Sequence, residues 1–216
     1  MEISAEFVTS AATARDFPRD RLAEVALVGR SNVGKSSLIN ALVRQQVART
    51  SAAPGKTRLA NFYRVQRGAA PAFHLVDLPG YGYTRAPRRS SGQDGRDAAA
   101  GEFNRLTEAY FARGTADPGS RSPDPVRIGV LLLVDARHPG LESDLDAWAW
   151  LASQPCARAV VGTKADKLTR AERARHVRAL ESLFAIPVPL VSAETGEGLD
   201  ELWKLIARLP SRRTAP

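Results

Sequence analysis

Short apolar runs alternate along this chain with stretches whose apolar residues recur at helical spacing. The two periods read as strands and helices in turn. Residues 24–28, 72–76, 128–134, 159–162 and 188–191 are short and apolar, the pattern of strands buried on both faces. Residues 62–65 (Phe-Tyr-Arg-Val) alternate and are rich in β-formers. Helices are predicted over 37 to about 46, 103–113, 141–152 and 199–209. Another is predicted to start from an N-cap at Thr169, with Glu172 three residues on completing a capping box. Trp148 and Trp150 cannot share one helix face, so one of them is expected at the periphery. Residues 1–23 read as a partly extended arm, 24–210 as one domain and 211–216 as a basic tail. The expectation is an α/β domain with a mainly parallel central sheet of about six strands, flanked by helices on both faces.

The polar residues that interrupt this pattern fall just after strands, where α/β sheets bind ligands. Gly29-Arg30-Ser31-Asn32-Val33-Gly34-Lys35-Ser36 fits G-x-x-x-x-G-K-[ST] between a strand and a helix. Its glycines let the loop turn backbone N–H groups onto phosphate oxygens at the positive end of a helix. Lys35 reaches terminal phosphates and the Ser36 hydroxyl suits Mg²⁺. Asp77-Leu78-Pro79-Gly80 ends the 72–76 strand. Asp77 suits Mg²⁺ through a water, and the Gly80 N–H suits a γ-phosphate. Thr57 lies in a polar segment, 47–59, where Pro54-Gly55 marks a turn. Its hydroxyl would join the Mg²⁺ shell only with a γ-phosphate present, the behaviour of a switch. Thr163-Lys164-Ala165-Asp166 follows another strand. Asp166 is placed to accept from guanine N1–H and its 2-amino group together, donors that adenine lacks. Lys164 would pack along the base, and Ser192-Ala193 would offer a backbone N–H to the guanine oxygen. Taken singly, Lys164-Ala165-Asp166 is also a charged helix start and Thr57 an exposed loop residue.

Composition narrows the field. The chain has 216 residues, 44% hydrophobic and 25% charged, as for one globular domain. No apolar run approaches the ~20 residues of a membrane helix, and the acidic N-terminus (Glu2, Glu6) is unlike a secretory or transit signal. A cytoplasmic protein is expected. One cysteine, Cys156, excludes an intrachain disulfide and reads as a small buried hydrophobe. A net charge of +8 favours a polyanionic partner such as RNA, although an arginine-rich composition alone would give the same number. His74, among apolar neighbours, reads as packing rather than catalytic. Residues 81–101, which carry Arg85, Arg88 and Arg89, read as a flexible loop. Residues 114–125 read as a surface insertion.

Taken together, these motifs resemble the EngB family of bacterial GTPases. The likeness rests on the 29–40 segment, on Arg49-Thr50-Ser51 and Pro54-Gly55-Lys56-Thr57-Arg58, and on Asp77-Leu78-Pro79-Gly80-Tyr81-Gly82-Tyr83. It continues through Leu132-Leu133-Val134-Asp135-Ala136-Arg137-His138 and Thr163-Lys164-Ala165-Asp166-Lys167-Leu168, and covers nearly the whole chain. The resemblance implies a P-loop GTPase fold and Mg²⁺-dependent GTP binding and hydrolysis. It implies a role as a switch in large ribosomal subunit assembly, with the subunit or its rRNA as partner, and a link to cell division and septation. It implies GTP or GDP contacts from Gly29 through Ser37, Gly55, Lys56, Thr57, Arg58 and Leu59, Asp77, Leu78, Pro79 and Gly80, Thr163 through Asp166, and Val191, Ser192 and Ala193. Lys35, Thr57 and Gly80 would serve the reaction itself. Asn32 matches the asparagine of potassium-activated relatives, so K⁺ binding and plain loop shaping both stay open for it. Tyr81 stands where many GTPases carry a glutamine, which implies slow intrinsic hydrolysis. The departures are the Arg-, Ser- and Gly-rich 85–101 stretch and the 114–125 insertion, both away from the nucleotide motifs. Two other classes remain: a GTP-dependent binding module in division with little role for hydrolysis, and a trafficking GTPase, disfavoured by the missing lipidation cysteine. A monomer is expected, since no coiled coil is legible.

Overall fold

The computed structural model of the protein describes residues 2–49, 59–81, 105–114, 126–154 and 156–211. The loop residues 50–58, the rest of the 81–101 stretch after Tyr81, and the 115–125 part of the expected insertion lie outside the described residues. So do Gly55, Lys56, Thr57 and Arg58.

Strand β2 (Ala23–Gly29) and strand β5 (Ile128–Asp135) form the parallel centre of the sheet. Their alternate residues enter two different cores. Val25, Leu27, Leu131 and Leu133 point to one face. Ala26, Val28, Val130, Leu132 and Val134 point to the other. This two-sided burial is why both strands are apolar throughout rather than alternating. Strand β4 (Phe73–Asp77) flanks β2 in parallel, and β6 (Ala157–Thr163) flanks β5 in parallel. Strand β3 (Ala60–Arg67) runs antiparallel beside β4, and β1 (Ile3–Ala11) antiparallel beside β3. The order is β1-β3-β4-β2-β5-β6.

Helix α1 (Lys35–Val43) and helix α5 (Leu199–Arg208) cover one face, with Leu38, Ile39, Leu42, Leu202, Trp203 and Ile206 buried against it. The opposite face carries α2 (residues 105–112), α3 (Glu142–Ala152) and α4 (Arg170–Phe184), through Tyr110, Phe111, Leu151, Leu180 and Phe184. The doubly covered α/β fold is therefore as expected.

Four details differ from the sequence pattern. The N-terminal arm supplies a full edge strand, with a bulge between Phe7 and Thr9. The 188–191 run is no strand: it makes one bridge, Gly162 to Leu190. Its two outer bonds are Gly162 N–H to Pro189 O and Val191 N–H to Gly162 O. Pro187 and Pro189 have no N–H to extend the ladder, so pairing stops there. Helix α1 ends at Val43 rather than near Gln46, because Arg44 adopts φ 55° and its N–H returns to Asn40 O. Trp148 and Trp150 are both half-buried, one on Phe184 and the other on Phe111.

At the end of the sheet away from the motifs, Glu24 is 1% exposed and meets the Arg113 guanidinium at 2.9 Å. Arg113 also donates to Pro18 O and lies over the Phe17 and Phe62 rings. Buried His74 sits between Asp20, at 3.3 Å, and Glu24, a packing position as its neighbours suggested. This network ties the chain just after α2 to the first turn of the central sheet. Glu24→Ala strands a largely buried cation, which costs about 3 kcal/mol or more. The urea midpoint of the variant should drop accordingly, while nucleotide affinity of the folded molecules stays unchanged.

Candidate functional site

Among the described residues, the expected site residues gather at the carboxyl ends of β2, β4 and β6. The 29–36 loop leaves β2 and feeds α1. Gly34 takes φ 109° at the helix N-cap, a backbone conformation open to glycine and strained for other residues. Asn32 turns the loop at φ 61°. The first turn of α1 carries no acidic residue, so its positive end stays unopposed for an anion. The Lys35 side chain folds back into the loop, where Nζ donates to Gly29 O at 3.1 Å and Arg30 O at 3.4 Å. Burial holds the Lys35 ammonium below its usual pKa, and the Asp77 carboxylate partly restores it.

Asp77 ends β4 beside that loop. Its Oδ2 accepts from Ser36 Oγ at 2.6 Å. Its Oδ1 is buried and has no hydrogen-bond partner among the described residues. Burial pushes the Asp77 carboxyl up, and Lys35 and Ser36 pull it back. A hydroxyl and a half-unsatisfied buried carboxylate in contact are hard oxygen donors of the kind Mg²⁺ takes. These two residues thus fit the Mg²⁺ expected from the sequence. Leu78 and Pro79 lead on to Gly80, which lies against the loop. A Cβ on Gly80 would stand 2.8 Å from Ser31 N, 2.9 Å from Ser31 Oγ and 3.0 Å from Lys35 Nζ, so a hydrogen is all this position admits. Ser31 N–H donates to Tyr81 O at 3.2 Å, which fastens the end of β4 to the loop. The Tyr81 hydroxyl in turn donates to Asp144 Oδ1 of α3 at 2.9 Å.

The second half of the site is the turn after β6. Thr163 Oγ1 donates to Val33 O at 2.8 Å, and Lys164 Nζ donates to Asn32 O at 2.8 Å. Two consecutive side chains of this turn therefore brace the 29–36 loop from outside. Lys164 itself takes φ 62°, which starts the 3-10 turn Ala165–Lys167. Ala165 N–H donates to Val191 O at 3.1 Å and draws the 188–191 segment alongside. Ser192 Oγ donates to Asp166 Oδ1 at 2.7 Å and fixes the carboxylate. That bond is the largest cause holding the Asp166 carboxyl below the usual aspartate pKa; Lys167 at 3.0 Å adds to it. The Ser192 N–H is committed to Glu197 O. Of the Ser192-Ala193 pair, the Ala193 N–H is the one with no acceptor among the described residues. Ser37 lies exposed on the first turn of α1, and Leu59 just before β3.

Several members were not legible from the motifs. Asp135, at the end of β5, accepts from Lys164 Nζ at 2.9 Å and from Arg137 Nε and Nη2 at 2.9 and 2.8 Å. Its carboxyl is held far below the ordinary range: burial opposes ionisation, and the bonds from Arg137 and Lys164 outweigh it. Asp135 thus holds in place the lysine that braces the loop. A polar residue at the carboxyl end of an apolar parallel strand is the same signal that marked Asp77. Asn40 clips Ala48 through both its N–H and C=O, and Tyr81 reaches Asp144; neither contact leaves a sequence signal.

The 29–36 loop with its unopposed helix end, an oxygen pair suited to Mg²⁺ on its β4 side and a fixed carboxylate on its β6 side thus lie along one edge, in the order base, phosphates and metal of a nucleoside triphosphate. Known proteins agree with this arrangement. A family model described as "50S ribosome-binding GTPase" matches residues 24–117. A probable GTP-binding protein EngB of Pelotomaculum thermopropionicum is 41% identical over 210 residues, covering 95% of this chain and 94% of the relative. One of Heliobacterium modesticaldum is 42% identical over 207 residues, covering 94% and 90%. Among solved structures, a probable GTP-binding protein engB has a TM-score of 0.58 at 21% identity, over 88% of this chain and all of that one. Era in complex with MgGDPNP and nucleotides 1506–1542 of 16S ribosomal RNA has a TM-score of 0.66 at 21% identity, over 90% of this chain and 58% of that one.

Proposed function

The chain belongs to the EngB family of GTP-binding proteins, and on that premise we propose that it is a Mg²⁺-dependent GTP switch acting in assembly of the large ribosomal subunit. GTP binding and hydrolysis come with the family. The carrying observation for a switch is the Ser36–Asp77 pair with its unpartnered buried Oδ1, next to Gly80 and on the side of the 29–36 loop away from the base turn. For the ribosomal role the support is the matched family's description as 50S ribosome-binding, together with the +8 net charge.

In this reading the amides of the 29–36 loop and Lys35 hold the phosphates and neutralise charge that grows on them during transfer. Ser36, and Asp77 through a water, would hold Mg²⁺, which would supply further charge neutralisation. Gly80 lets β4 approach the γ-phosphate, and the Thr57 hydroxyl would join the Mg²⁺ shell when that phosphate is present. Asp166 and Ala193 read the guanine, with Lys164 along its face. The Tyr81 hydroxyl is occupied by Asp144, and the side chain has no amide to orient water. Intrinsic hydrolysis is therefore slow, and the activated rate belongs to the assembled particle. A role in cell division follows from failed subunit assembly. A division module with little role for hydrolysis is the second reading, and the intact Asp77 and Thr57 positions favour the hydrolysis-linked switch over it.

The test is sedimentation with ribosomal particles in GDP or a non-hydrolysable GTP analogue, across a salt series. Co-migration with the large subunit in the analogue only, surviving moderate salt, is expected. Binding that ignores the nucleotide and vanishes as salt rises would mean unspecific charge attraction, and the assembly reading would fall.

A further inference from the structure

Helix α4 carries charges that the fold does not use. Its sequence is Arg-Ala-Glu-Arg-Ala-Arg-His-Val-Arg-Ala-Leu-Glu-Ser-Leu-Phe, from Arg170 to Phe184. Leu180 and Phe184 face the core. The outward face carries Arg170, Ala171, Ala174, Arg175, Arg178 and Ser182, with Leu183 also exposed on the flank near the helix end.

The acids on and beside this helix have their direct bonds elsewhere. Glu172 folds back to cap the helix, accepting from Thr169 N–H and Oγ1, each at 2.8 Å. Glu181 accepts from Val188 N–H. Glu197 pairs with Arg173, the one arginine of α4 that turns inward. Asp166 is taken by Ser192 and Lys167. Among the described residues, no carboxylate oxygen lies within 4.0 Å of Arg170, Arg175 or Arg178. Arg175 meets the ring of His176, which is itself turned to Ala136 O, and feels the Glu172 carboxylate only through space.

The outward face thus carries three guanidiniums, none in direct ion-pair contact, spread over two helical turns, about 12 Å of rise. Between them the exposed positions carry only the methyl groups of Ala171 and Ala174. Such a face lets a polyanion approach the helix closely and takes consecutive anionic groups. Guanidinium matches phosphate in two-point geometry.

From this face we propose that α4 is an RNA-contacting surface, with Arg170, Arg175 and Arg178 gripping phosphates of an RNA backbone. The helix begins directly after the turn that carries Asp166, so this contact lies on the base side of the nucleotide pocket. It leaves the Gly80 side free for the γ-phosphate response. The choice of RNA as the polyanion rests on the ribosomal reading above; the surface itself rests on the geometry of α4.

The experiment uses the full-length protein and the variant R170Q/R175Q/R178Q. Binding is measured to a folded hairpin RNA, to purified large subunits and to vesicles containing anionic phospholipid. GDP affinity and the thermal midpoint of the variant should match those of the parent, since none of the three side chains touches the nucleotide motifs. RNA affinity should fall about tenfold or more. The slope of log affinity against log salt should become shallower by about 2 to 3, as for three lost phosphate contacts. Equal affinity and equal slope for the two proteins would overturn the proposal, as would a parent protein that does not bind the hairpin. Loss confined to the vesicles would overturn it in favour of a membrane surface. If the variant loses the hairpin while neither protein binds large subunits, the α4 surface stands and the ribosomal reading fails.

Discussion

Asp166→Asn should all but abolish GTP binding and make the pocket accept xanthosine triphosphate instead. The carboxylate is fixed by Ser192 Oγ and stands at the start of α4 with its second oxygen on Lys167. Guanine presents two adjacent donors to it. Replacing one acceptor oxygen with an amide N–H₂ sets donor against donor and leaves both groups unpaired in a partly desolvated pocket. Sites that read a base by hydrogen bonds discriminate by about 10⁴-fold, so a loss of about 10³-fold or more in GTP affinity is expected. Xanthine carries an acceptor oxygen where guanine has the 2-amino group, which matches the new amide. Fluorescence titration with labelled GDP and XDP reads both halves of the exchange. Unchanged GDP affinity in the variant would mean that Asp166 does not read the base.

The same residue sets how recognition depends on pH. Its carboxyl is depressed in the fold, chiefly by the Ser192 hydroxyl. A depressed carboxylate is still ionised where a free aspartate is becoming protonated. GDP affinity of the parent should therefore persist as pH falls through the ordinary aspartate range and be lost only below it. In Ser192→Ala that hydroxyl is gone and the carboxyl returns toward its ordinary value, so the acid loss of affinity should move to higher pH. Affinities at neutral pH should differ much less.

How far the motifs carry can be judged from which bonds the chain spells out. Strands β2, β4, β5 and β6 and their following loops were legible because burial on both faces demands continuous apolar runs, and because polar residues next to such runs stand out. The sixth strand was not legible. The 188–191 run has the right composition, yet Pro187 and Pro189 limit it to one bridge. The true sixth strand, Ile3–Ala11, is polar enough on one side to pass for an arm; Phe7 remains 53% exposed. Edge strands bury one face at most, so hydrophobicity marks them weakly. Within the site, motif spacing named the ligating residues but not the residues that hold them. Asp135 under Lys164, Thr163 on Val33 and Tyr81 on Asp144 are contacts across sequence separations of 29, 130 and 63, which no local pattern encodes.

Lys35→Ala should be the most damaging single change to catalysis. The ammonium is buried at the mouth of the loop, 3.1 Å from Gly29 O, with the Gly80 backbone close by. It is the one buried cation that faces the phosphate positions among the described residues. A charge preorganised in a desolvated site is worth far more to a developing negative charge than one in water, and removing even a single neutral donor of this kind costs about 10²- to 10³-fold. Single-turnover GTP hydrolysis should therefore fall by about 10³-fold, with GTP affinity reduced more than GDP affinity because Lys35 serves the terminal phosphates. A rate within tenfold of the parent would remove Lys35 from the reaction. Stability supplies an independent reading. Asp77 already has a raised carboxyl in the fold because burial disfavours its charge, and Lys35 is the largest influence pulling it down. Without the ammonium the carboxyl rises further. A carboxyl raised by folding favours the protonated native state, so its contribution is full below the unfolded value and is lost as pH rises through the folded one. The gap in thermal midpoint between parent and variant should accordingly shift against the variant as pH rises from acid to neutral, measured without nucleotide. A gap independent of pH would mean that Lys35 and Asp77 do not feel each other, and would separate the lysine's role on phosphate from any role in keeping the metal-binding carboxylate charged.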